Sequence, residues 1–235
     1  MEGVTTLFFY VYNTHYTRHI IFLIMEKIEI LPQFVFKFEC NDEKLISNII
    51  SNLKNEEWVT NSNNYITKNN RLEKNEQYKK LYEWFDNCLS EVKDELKLEC
   101  DKLKITQSWA NKSLATNWHH PHVHSNSLIS GIFYLVDSDA CTWFSIDSIW
   151  NFHRYGLGDF KYQILKPNFD QNLTKIIHKE KTVSGNLIIF PSSLYHSVDE
   201  HMSLNTERYT ISFNTFPCGK IGNYDMAFGV EIDIK

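Results

Sequence analysis

The sequence predicts an α+β protein that is mainly β, a β-sandwich or barrel flanked by two helices near its N-terminus. Two segments with helical periodicity come first, and a long run of short strand-like segments follows them. Aromatic residues make up 14% of the chain, with 16 Phe and 12 Tyr, which is typical of a β-rich core. With 235 residues, the chain can form one substantial core without a second domain.

The N-terminal residues do not follow this pattern. Residues 1–24 contain two apolar runs, but neither is long enough to cross a membrane and neither is followed by a signal-peptide cleavage site. Met25 directly precedes an ordinary domain start. We therefore expect residues 1–24 to be a dispensable extension and residues 25–235 to form a single domain.

The first third of the domain is expected to hold one strand, two helices and a loop. The strand covers Ile28–Phe38 and has Pro32 early in it. The first helix has its apolar face between Leu45 and Leu53 and Asn41 or Asp42 as its cap. In order, the remaining segments are a polar loop over Glu56–Asn75 and a second amphipathic helix from about Asn75 to Cys100.

Short strands dominate from Lys104 onward. Their alternating or apolar runs predict strands over Ile105–Trp109, Ser130–Val136, Asn186–Phe190, Arg208–Phe216 and Phe228–Ile234. Between the second and third of these, Asp147–Thr174 is weakly patterned and contains two glycines and a proline. We interpret it as an insertion.

A dense histidine cluster follows the first of these strands. It reads Trp118-His119-His120-Pro121-His122-Val123-His124-Ser125-Asn126 and holds four of the ten histidines within six positions. In an extended segment, His120, His122 and His124 would point to one face and His119 to the other. An i, i+2 pair of imidazoles supplies two adjacent metal ligands, and a third ligand from another strand would leave positions open for substrate and oxygen. Surface histidines or hydrogen-bonded core histidines are the non-functional alternative.

The candidate third ligand is His196. An apolar strand ends at Pro191, which cannot donate a hydrogen bond to a sheet, and His196 lies just beyond that strand. A histidine that only caps the end of a core strand would look the same.

The strand that begins at Arg208 carries polar residues on one face and apolar residues on the other. Arg208, Thr210, Ser212 and Asn214 alternate with Tyr209, Ile211 and Phe213. A polar turn precedes this strand, so it is expected to return beside His196. A guanidinium there could bind one carboxylate of a cosubstrate whose other end chelates the metal, with Thr210 beside it.

Four ordered segments carry a resemblance to a known family. They are Gln107–Asn111, His122–Ser127 with Ser130–Leu135, Phe190–Val198 and Glu207–Asn214. Together they resemble the 2-oxoglutarate- and Fe(II)-dependent oxygenases of marine bacteria and their phages, over roughly residues 26–235. The resemblance implies a double-stranded β-helix (jelly-roll) fold, Fe(II) and 2-oxoglutarate as cofactors, and ascorbate as a possible accessory reductant.

The resemblance also implies a set of site residues. It favours His122, His124 and His196 as iron ligands, with His120 supporting them, and Arg208 with Thr210 as the 2-oxoglutarate site. Asn126, Tyr134 and Ser212 lie in the same matching segments and are expected to help bind the cofactors. Most members of the wider superfamily have Asp or Glu at the position of His124. The third ligand is therefore left open between His124, His120 and a carboxylate from elsewhere.

Three functions remain to be compared. An oxygenase that hydroxylates an unidentified small-molecule or peptide substrate, releasing succinate and CO₂, is the leading hypothesis. A zinc hydrolase would also use three histidines, and a non-enzymatic jelly-roll that binds a sugar or a protein is the third.

Composition narrows the partners and the compartment. The net charge of −5 argues against a broad nucleic-acid interface, and no membrane partner is expected; the oligomeric state is open. The five cysteines are scattered and include no CxxC pair, which favours a reducing cytoplasm.

Overall fold

A computed structural model describes residues 26–30, 33–146, 175–204, 206–223 and 228–234. The predicted extension, residues 1–24, and the predicted insertion, residues 147–174, lie outside the described residues. Within the described ranges, the elements are two α-helices, α1 (Glu43–Leu53) and α2 (Lys79–Glu95), and thirteen strands, β1 (Glu26–Ile30), β2 (Gln33–Glu39), β3 (Trp58–Asn61), β4 (Asn64–Thr67), β5 (Cys100–Ser113), β6 (His119–His122), β7 (Ile129–Tyr134), β8 (Ser138–Ile146), β9 (Lys175–Thr182), β10 (Asn186–Pro191), β11 (Tyr195–Val198), β12 (Arg208–Ile221) and β13 (Val230–Ile232).

The strands form two antiparallel sheets. The large sheet has the order β1-β2-β10-β7-β12-β5-β4-β3, and β13 pairs with β12. The small sheet has the order β6-β11-β8-β9. Strands that are close in sequence are distributed between the two sheets, as in a jelly-roll.

The two helices cover the outer face of the large sheet. Helix α1 begins where the Asp42 carboxylate accepts a hydrogen bond from the backbone N–H of Leu45 at 2.9 Å, which confirms the predicted cap. In α2, Phe85 packs against Phe133 and Phe213 of the sheet, with ring centroids 5.5 and 5.0 Å apart. This apolar layer is the larger of two cores.

A smaller core lies between the two sheets. The large sheet contributes Val35, Ile132, Ile188 and Phe190 to it, and the small sheet contributes Phe144. This core fills only part of the space between the sheets. Beside it, the facing strands carry polar side chains and line an open cavity of about 420 Å³.

Several element predictions are corrected by the structure. The segment Ile28–Phe38 is not one strand but the hairpin β1–β2, in which Ile30 pairs with Gln33; Pro32 has no N–H for a continuous ladder. The segment Glu56–Asn75 is not a loop, because it contains the hairpin β3–β4. The second helix is shorter than predicted, since two 3₁₀ turns precede it and it ends at Glu95.

The predicted strands after Lys104 are confirmed, with β5 and β12 longer than expected. The sequence patterns missed β8, β9 and β11, and β13 is shorter than the predicted strand Phe228–Ile234. Neither α1 nor α2, the α-helices of the described ranges, has the length and apolar character needed to cross a bilayer.

Candidate metal centre and its cavity

Strands β6 and β11 bring two of the predicted ligands together. His122 lies opposite His196 in the ladder, whereas His119 lies opposite Val198, so β6 uses an extra residue and forms a bulge. The bulge places the His119 and His122 rings side by side, with centroids 4.4 Å apart, and His120 is exposed. The predicted strict alternation of side chains from His119 to His124 is therefore wrong, because the bulge changes which side chains share a face of the strand.

His122, His124 and His196 form one compact group. Their ring centroids are 4.2 to 5.2 Å apart, and one ring nitrogen from each lies within 4.8 Å of the others. The Nε2 atoms of His122 and His124 are 3.2 Å apart. The chain holds His124 in place after β6 through a hydrogen bond from its backbone N–H to the Ser192 carbonyl, at 2.9 Å.

The Nδ1 atom of each of these rings faces an oxygen acceptor. His122 Nδ1 is 2.8 Å from the His120 carbonyl oxygen, and His196 Nδ1 is 2.9 Å from the Leu194 carbonyl oxygen. His124 Nδ1 bonds to the Asn214 side-chain oxygen. An acceptor at Nδ1 assigns the proton to Nδ1 and leaves the Nε2 lone pair of each ring free to bind a metal.

Burial keeps these imidazoles neutral at physiological pH. Desolvation, with the charges of His119 and His124 adding to it, lowers the pKa of His122 to about 3. The pKa of His196 is lowered well below its usual value by burial and by the His122 and His124 rings, and burial also lowers that of His124. Neutral imidazole is the form that binds metals, so the group is ready to do so without first losing protons.

The donor set fits a divalent transition metal. Two imidazole nitrogens bound at about 2.1 Å and at right angles would lie about 3.0 Å apart, close to the 3.2 Å between His122 and His124. Of the described residues, no Asp or Glu lines the cavity, so these residues offer no carboxylate there as an alternative to His124. His119, His120 and His122 form a second histidine group, but His120 is exposed and His122 belongs to the first group.

Arg208 is a buried cation that has no acidic partner among the described residues. Its side chain lines the same cavity as the histidines, and the residue is only 4% exposed. Its guanidinium lies over the Tyr134 ring, 5.7 Å from the centroid, and its Nε atom has no hydrogen-bond acceptor in the described part of the chain. Among the described residues, the ion pairs all use other cations. Burial lowers the pKa of Arg208, yet its charge is retained.

Such an arrangement is costly unless an anion completes it. A buried charge without a partner destabilises a fold by several kcal/mol, at about 3–5 kcal/mol in mutational studies of buried pairs. Arg208 is therefore suited to an anionic ligand that enters the cavity, and a carboxylate matches its planar donors.

The face of β12 between Arg208 and the histidines is polar and buried, as its alternation predicted. Thr210 and Ser212 line the cavity, and both accept hydrogen bonds from the Asn111 amide, at 3.2 and 2.9 Å. Tyr134 lies beneath Arg208, fully buried, and its hydroxyl donates to Thr142 at 2.8 Å. Tyr134 therefore supports Arg208 and does not line the cavity.

The structure places Asn126, a predicted cofactor-binding residue, outside the cavity. It is exposed in a left-handed backbone conformation, with φ of 57°, and does not line the cavity. An asparagine in this conformation is typical of a turn, where it serves the backbone conformation rather than ligand binding. The asparagine that does support the histidines is Asn214, which sequence reasoning placed on the polar face of its strand without giving it a role.

Sequence reasoning also missed another wall of the cavity. Asn61 and Asn64 of the β3–β4 hairpin and Trp109 of β5 line the cavity, and the Trp109 ring lies 5.8 Å from that of His124. The segment of Asn61 and Asn64 was interpreted as a loop because of its many asparagines. Those asparagines were the available sequence signal for a polar wall, but only the hairpin that brings them to the cavity gives them this position.

Comparison of the sequence with protein families finds one match. Residues 107–214 match the family described as "Putative 2OG-Fe(II) oxygenase", where 2OG stands for 2-oxoglutarate. The matched region holds the three histidines and Arg208, and the family description names the two cofactors that the sequence predicts. The sequence matches no curated protein.

Solved structures with a similar fold support the predicted jelly-roll class. One is the non-heme α-ketoglutarate-dependent epimerase SnoN from nogalamycin biosynthesis, with a TM-score of 0.58 and 12% identity over 83% of this chain and 80% of that one. Another is HygX from Streptomyces hygroscopicus with nickel and 2-oxoglutarate bound, with a TM-score of 0.56 and 11% identity over 78% and 82%. A third is a Pseudomonas putida prolyl-4-hydroxylase, with a TM-score of 0.51 and 12% identity over 75% and 88%. The fold is a double-stranded β-helix.

Proposed function

We propose that this chain is a 2-oxoglutarate- and Fe(II)-dependent oxygenase that hydroxylates its substrate and releases succinate and CO₂. One observation carries the proposal. A single cavity holds three neutral imidazoles with free Nε2 atoms and a buried arginine for which the described residues supply no acidic partner. The histidines account for the metal, and the arginine accounts for a cosubstrate that is both an anion and a metal chelator.

In this proposal, His122, His124 and His196 hold the iron through Nε2 and leave the other coordination positions open. Arg208 binds the carboxylate of 2-oxoglutarate that is distant from the metal, and Thr210 and Ser212 offer hydroxyls beside it. When bound, the iron and 2-oxoglutarate supply the oxidising power of the reaction, with ascorbate as an accessory reductant.

The protein contributes orientation and exclusion of water. His120 and Leu194 fix two of the rings through their backbone carbonyls, and Asn214 fixes the third. Phe190 packs on His196, with centroids 4.7 Å apart, and closes the site on that side. Rings held in one orientation need little reorganisation when the metal and cosubstrate bind.

A zinc hydrolase is the second candidate, because three histidines also suit a zinc-bound hydroxide. The spacing of the histidine Nε2 atoms fits both iron and zinc. Arg208 favours the oxygenase, since a hydrolase of this kind has no need for a buried cation in the same cavity. A non-enzymatic binding module would likewise leave the free Nε2 atoms without a purpose.

Anaerobic titration with Fe(II), with and without 2-oxoglutarate, tests the proposal. We expect stoichiometric Fe(II) binding and a visible charge-transfer absorption band that appears only when 2-oxoglutarate is added. The matched control adds succinate, which carries two carboxylates but lacks the keto group needed for chelation, and should give no band. Tight Zn(II) binding together with no 2-oxoglutarate-dependent band would favour the hydrolase and refute the oxygenase.

A further inference from the structure

The side chains of His119 and His120 have no role in the proposed function, although they belong to the same histidine cluster as two of the iron ligands. The structure keeps them close to the metal site. One ring nitrogen from each of His119, His120 and His122 lies within 4.8 Å of the others, and the His119 and His120 rings stack with centroids 4.9 Å apart. We call these three residues the outer group, and His122, His124 and His196 the inner group.

The two groups lie at different depths of one cavity, which the residues of both groups line. His120 is exposed, His119 and His122 are partly buried, and His196 is only 3% exposed. The outer group therefore lies on the solvent side and the inner group on the interior side. An ion that enters from solvent meets the outer group first.

His122 belongs to both groups, and this makes their occupation exclusive. Its Nδ1 atom faces the His120 carbonyl oxygen at 2.8 Å, so Nε2 is the atom left to bind a metal. A single lone pair binds one ion at a time. The outer group is therefore not a second permanent metal site beside the inner one, because an ion bound there has to leave it when the inner group is completed.

Asn64 can prepare His119 for a metal as Asn214 prepares His124. His119 Nδ1 lies 3.2 Å from the Asn64 carboxamide nitrogen, and the buried Asn64 oxygen has no donor among the described residues. Rotation of the carboxamide about its last bond exchanges its nitrogen and its oxygen. With the oxygen at Nδ1, that ring nitrogen carries the proton, and the Nε2 lone pair of His119 is free to bind a metal.

The charges of the cavity do not favour an entering cation. Within the described part of the chain, no Asp or Glu lines it, and Arg208 gives it a permanent positive charge. A divalent ion gives up its bound water only when other ligands replace that water, and imidazole is a good ligand for iron and its neighbours. Imidazoles on the solvent side therefore supply an attraction that the charges of the cavity do not.

We propose that the outer group is an entry site, which captures the divalent metal from solvent and transfers it to the inner group. His119 and His120 bind the ion first, with His122 as the third ligand. His122 then stays bound while His124 and His196 replace the two outer histidines. The shared ligand makes the transfer intramolecular, so the ion is not released between the two groups. This inference rests on the proposed function only for the inner group as a metal site, and not for the reaction with oxygen.

Stopped-flow absorption with Co(II), on the full chain and without 2-oxoglutarate, tests the proposal. Co(II) accepts the same imidazole ligands as Fe(II), and its visible absorption changes when it binds them. Capture followed by transfer predicts an observed rate that rises with Co(II) concentration and then levels off, because the transfer becomes limiting. Direct binding to the inner group predicts a rate that stays proportional to the Co(II) concentration.

Two variants assign the effect to the outer group. His120→Ala removes an exposed ring but keeps the backbone carbonyl that fixes His122, and His119→Ala removes the other outer ring. Each should slow both association and dissociation of Co(II) by roughly tenfold, because capture makes the second binding event intramolecular. The equilibrium affinity should not change, since a site on the path alters both directions equally.

The double variant and a control complete the set. The two outer rings act on one ion, so the double variant should be little slower than either single variant. The matched control is His178→Ala, which removes a histidine of β9 in the same small sheet that does not line the cavity. It should bind Co(II) at the rate of the parent chain.

The outcomes separate this inference from the proposed function. Unchanged rate constants in His119→Ala and His120→Ala overturn the entry site and leave the inner group in place. Weaker equilibrium affinity with faster dissociation overturns it as well, because the outer rings would then belong to the final site. Absence of Co(II) binding by the parent chain would refute the inner metal site itself, and both proposals with it.

Discussion

Strand β12 has two faces that are equally buried and chemically opposite. Tyr209, Ile211 and Phe213 face the helices and belong to the larger apolar core. Arg208 and Asn214, with Thr210 and Ser212 between them, face the other sheet and line the cavity. Every one of these seven residues is buried. Burial alone therefore does not identify a core, and the chemistry of the buried atoms does.

The two faces serve different purposes. The outer face buries apolar surface and closes around the aromatic rings of α2, which stabilises the fold. The inner face holds polar groups away from bulk water, and some of them have no hydrogen-bond partner among the described residues. That arrangement lowers stability and prepares a binding site. Substitutions on the outer face should thus change folding, and those on the inner face should change binding.

The largest expected effect is the loss of a metal ligand. His196→Ala should abolish Fe(II) binding, exceeding the roughly 10- to 100-fold loss expected when only a supporting partner is removed. The fold should remain, because the Nε2 atom is unused within the described part of the chain. Metal content after anaerobic loading measures the effect, and circular dichroism measures the fold. His178→Ala, on β9 of the same small sheet, is the control. Full iron occupancy in His196→Ala would exclude His196 as a ligand.

On the outer face, Phe213→Ala should destabilise the metal-free protein by about 3–5 kcal/mol. The ring fills the space above Gly131, where an added Cβ would lie 2.2 Å from Phe213 Cζ, so truncation leaves a cavity under α2. Chemical denaturation measures the change. Phe228→Ala is the control, since Phe228 is 78% exposed and its loss should cost less than about 0.5 kcal/mol. A loss below 1 kcal/mol for Phe213→Ala would mean that this face does not hold the fold together.

On the inner face, Arg208→Met should weaken the apparent affinity for 2-oxoglutarate by about 2–5 kcal/mol while Fe(II) still binds. Stability should be unchanged or higher, because an uncompensated buried charge is replaced by an apolar chain of similar length. The titration of the charge-transfer band and a denaturation curve report the two quantities. Arg71→Met, at an exposed arginine paired with Glu73, is the control. Unaltered 2-oxoglutarate affinity in Arg208→Met would place the cosubstrate elsewhere.

The smallest effect is expected at Asn214, where the inner face meets the metal site. Asn214→Leu should weaken Fe(II) affinity by about 10- to 100-fold, because the Asn214 oxygen no longer fixes the His124 ring through Nδ1. Competition with a chelator measures the affinity. Ser212→Ala lies two residues away on the same face and should leave Fe(II) affinity unchanged. Equal effects of the two substitutions would show that the strand, and not the hydrogen bond to His124, sets the affinity.

Sequence patterns predicted local features well because their causes are local. The cap at Asp42, the apolar stripe of α1 and the two faces of β12 follow from side-chain period and hydrogen bonding within a few residues. The histidines and Arg208 were proposed as site residues for the same reason, since their residue types and spacing indicate a chemistry, and the structure brings them to one cavity. Asn126 is close to His124 in the sequence but lies outside the cavity, because residues that are near in sequence need not be near in the fold.

What the sequence determined by itself is the fold class, the histidine cluster that suggests a metal site and the polar strand that begins at Arg208. Only the tertiary structure decided which atoms meet. The bulge in β6 set the facing of the histidines, Asn214 reached His124 from 90 residues away, and the β3–β4 hairpin carried Asn64 to the cavity. The physical reason is that strand pairing and register join residues far apart in the chain, and a shift of one residue reverses the face on which every side chain lies.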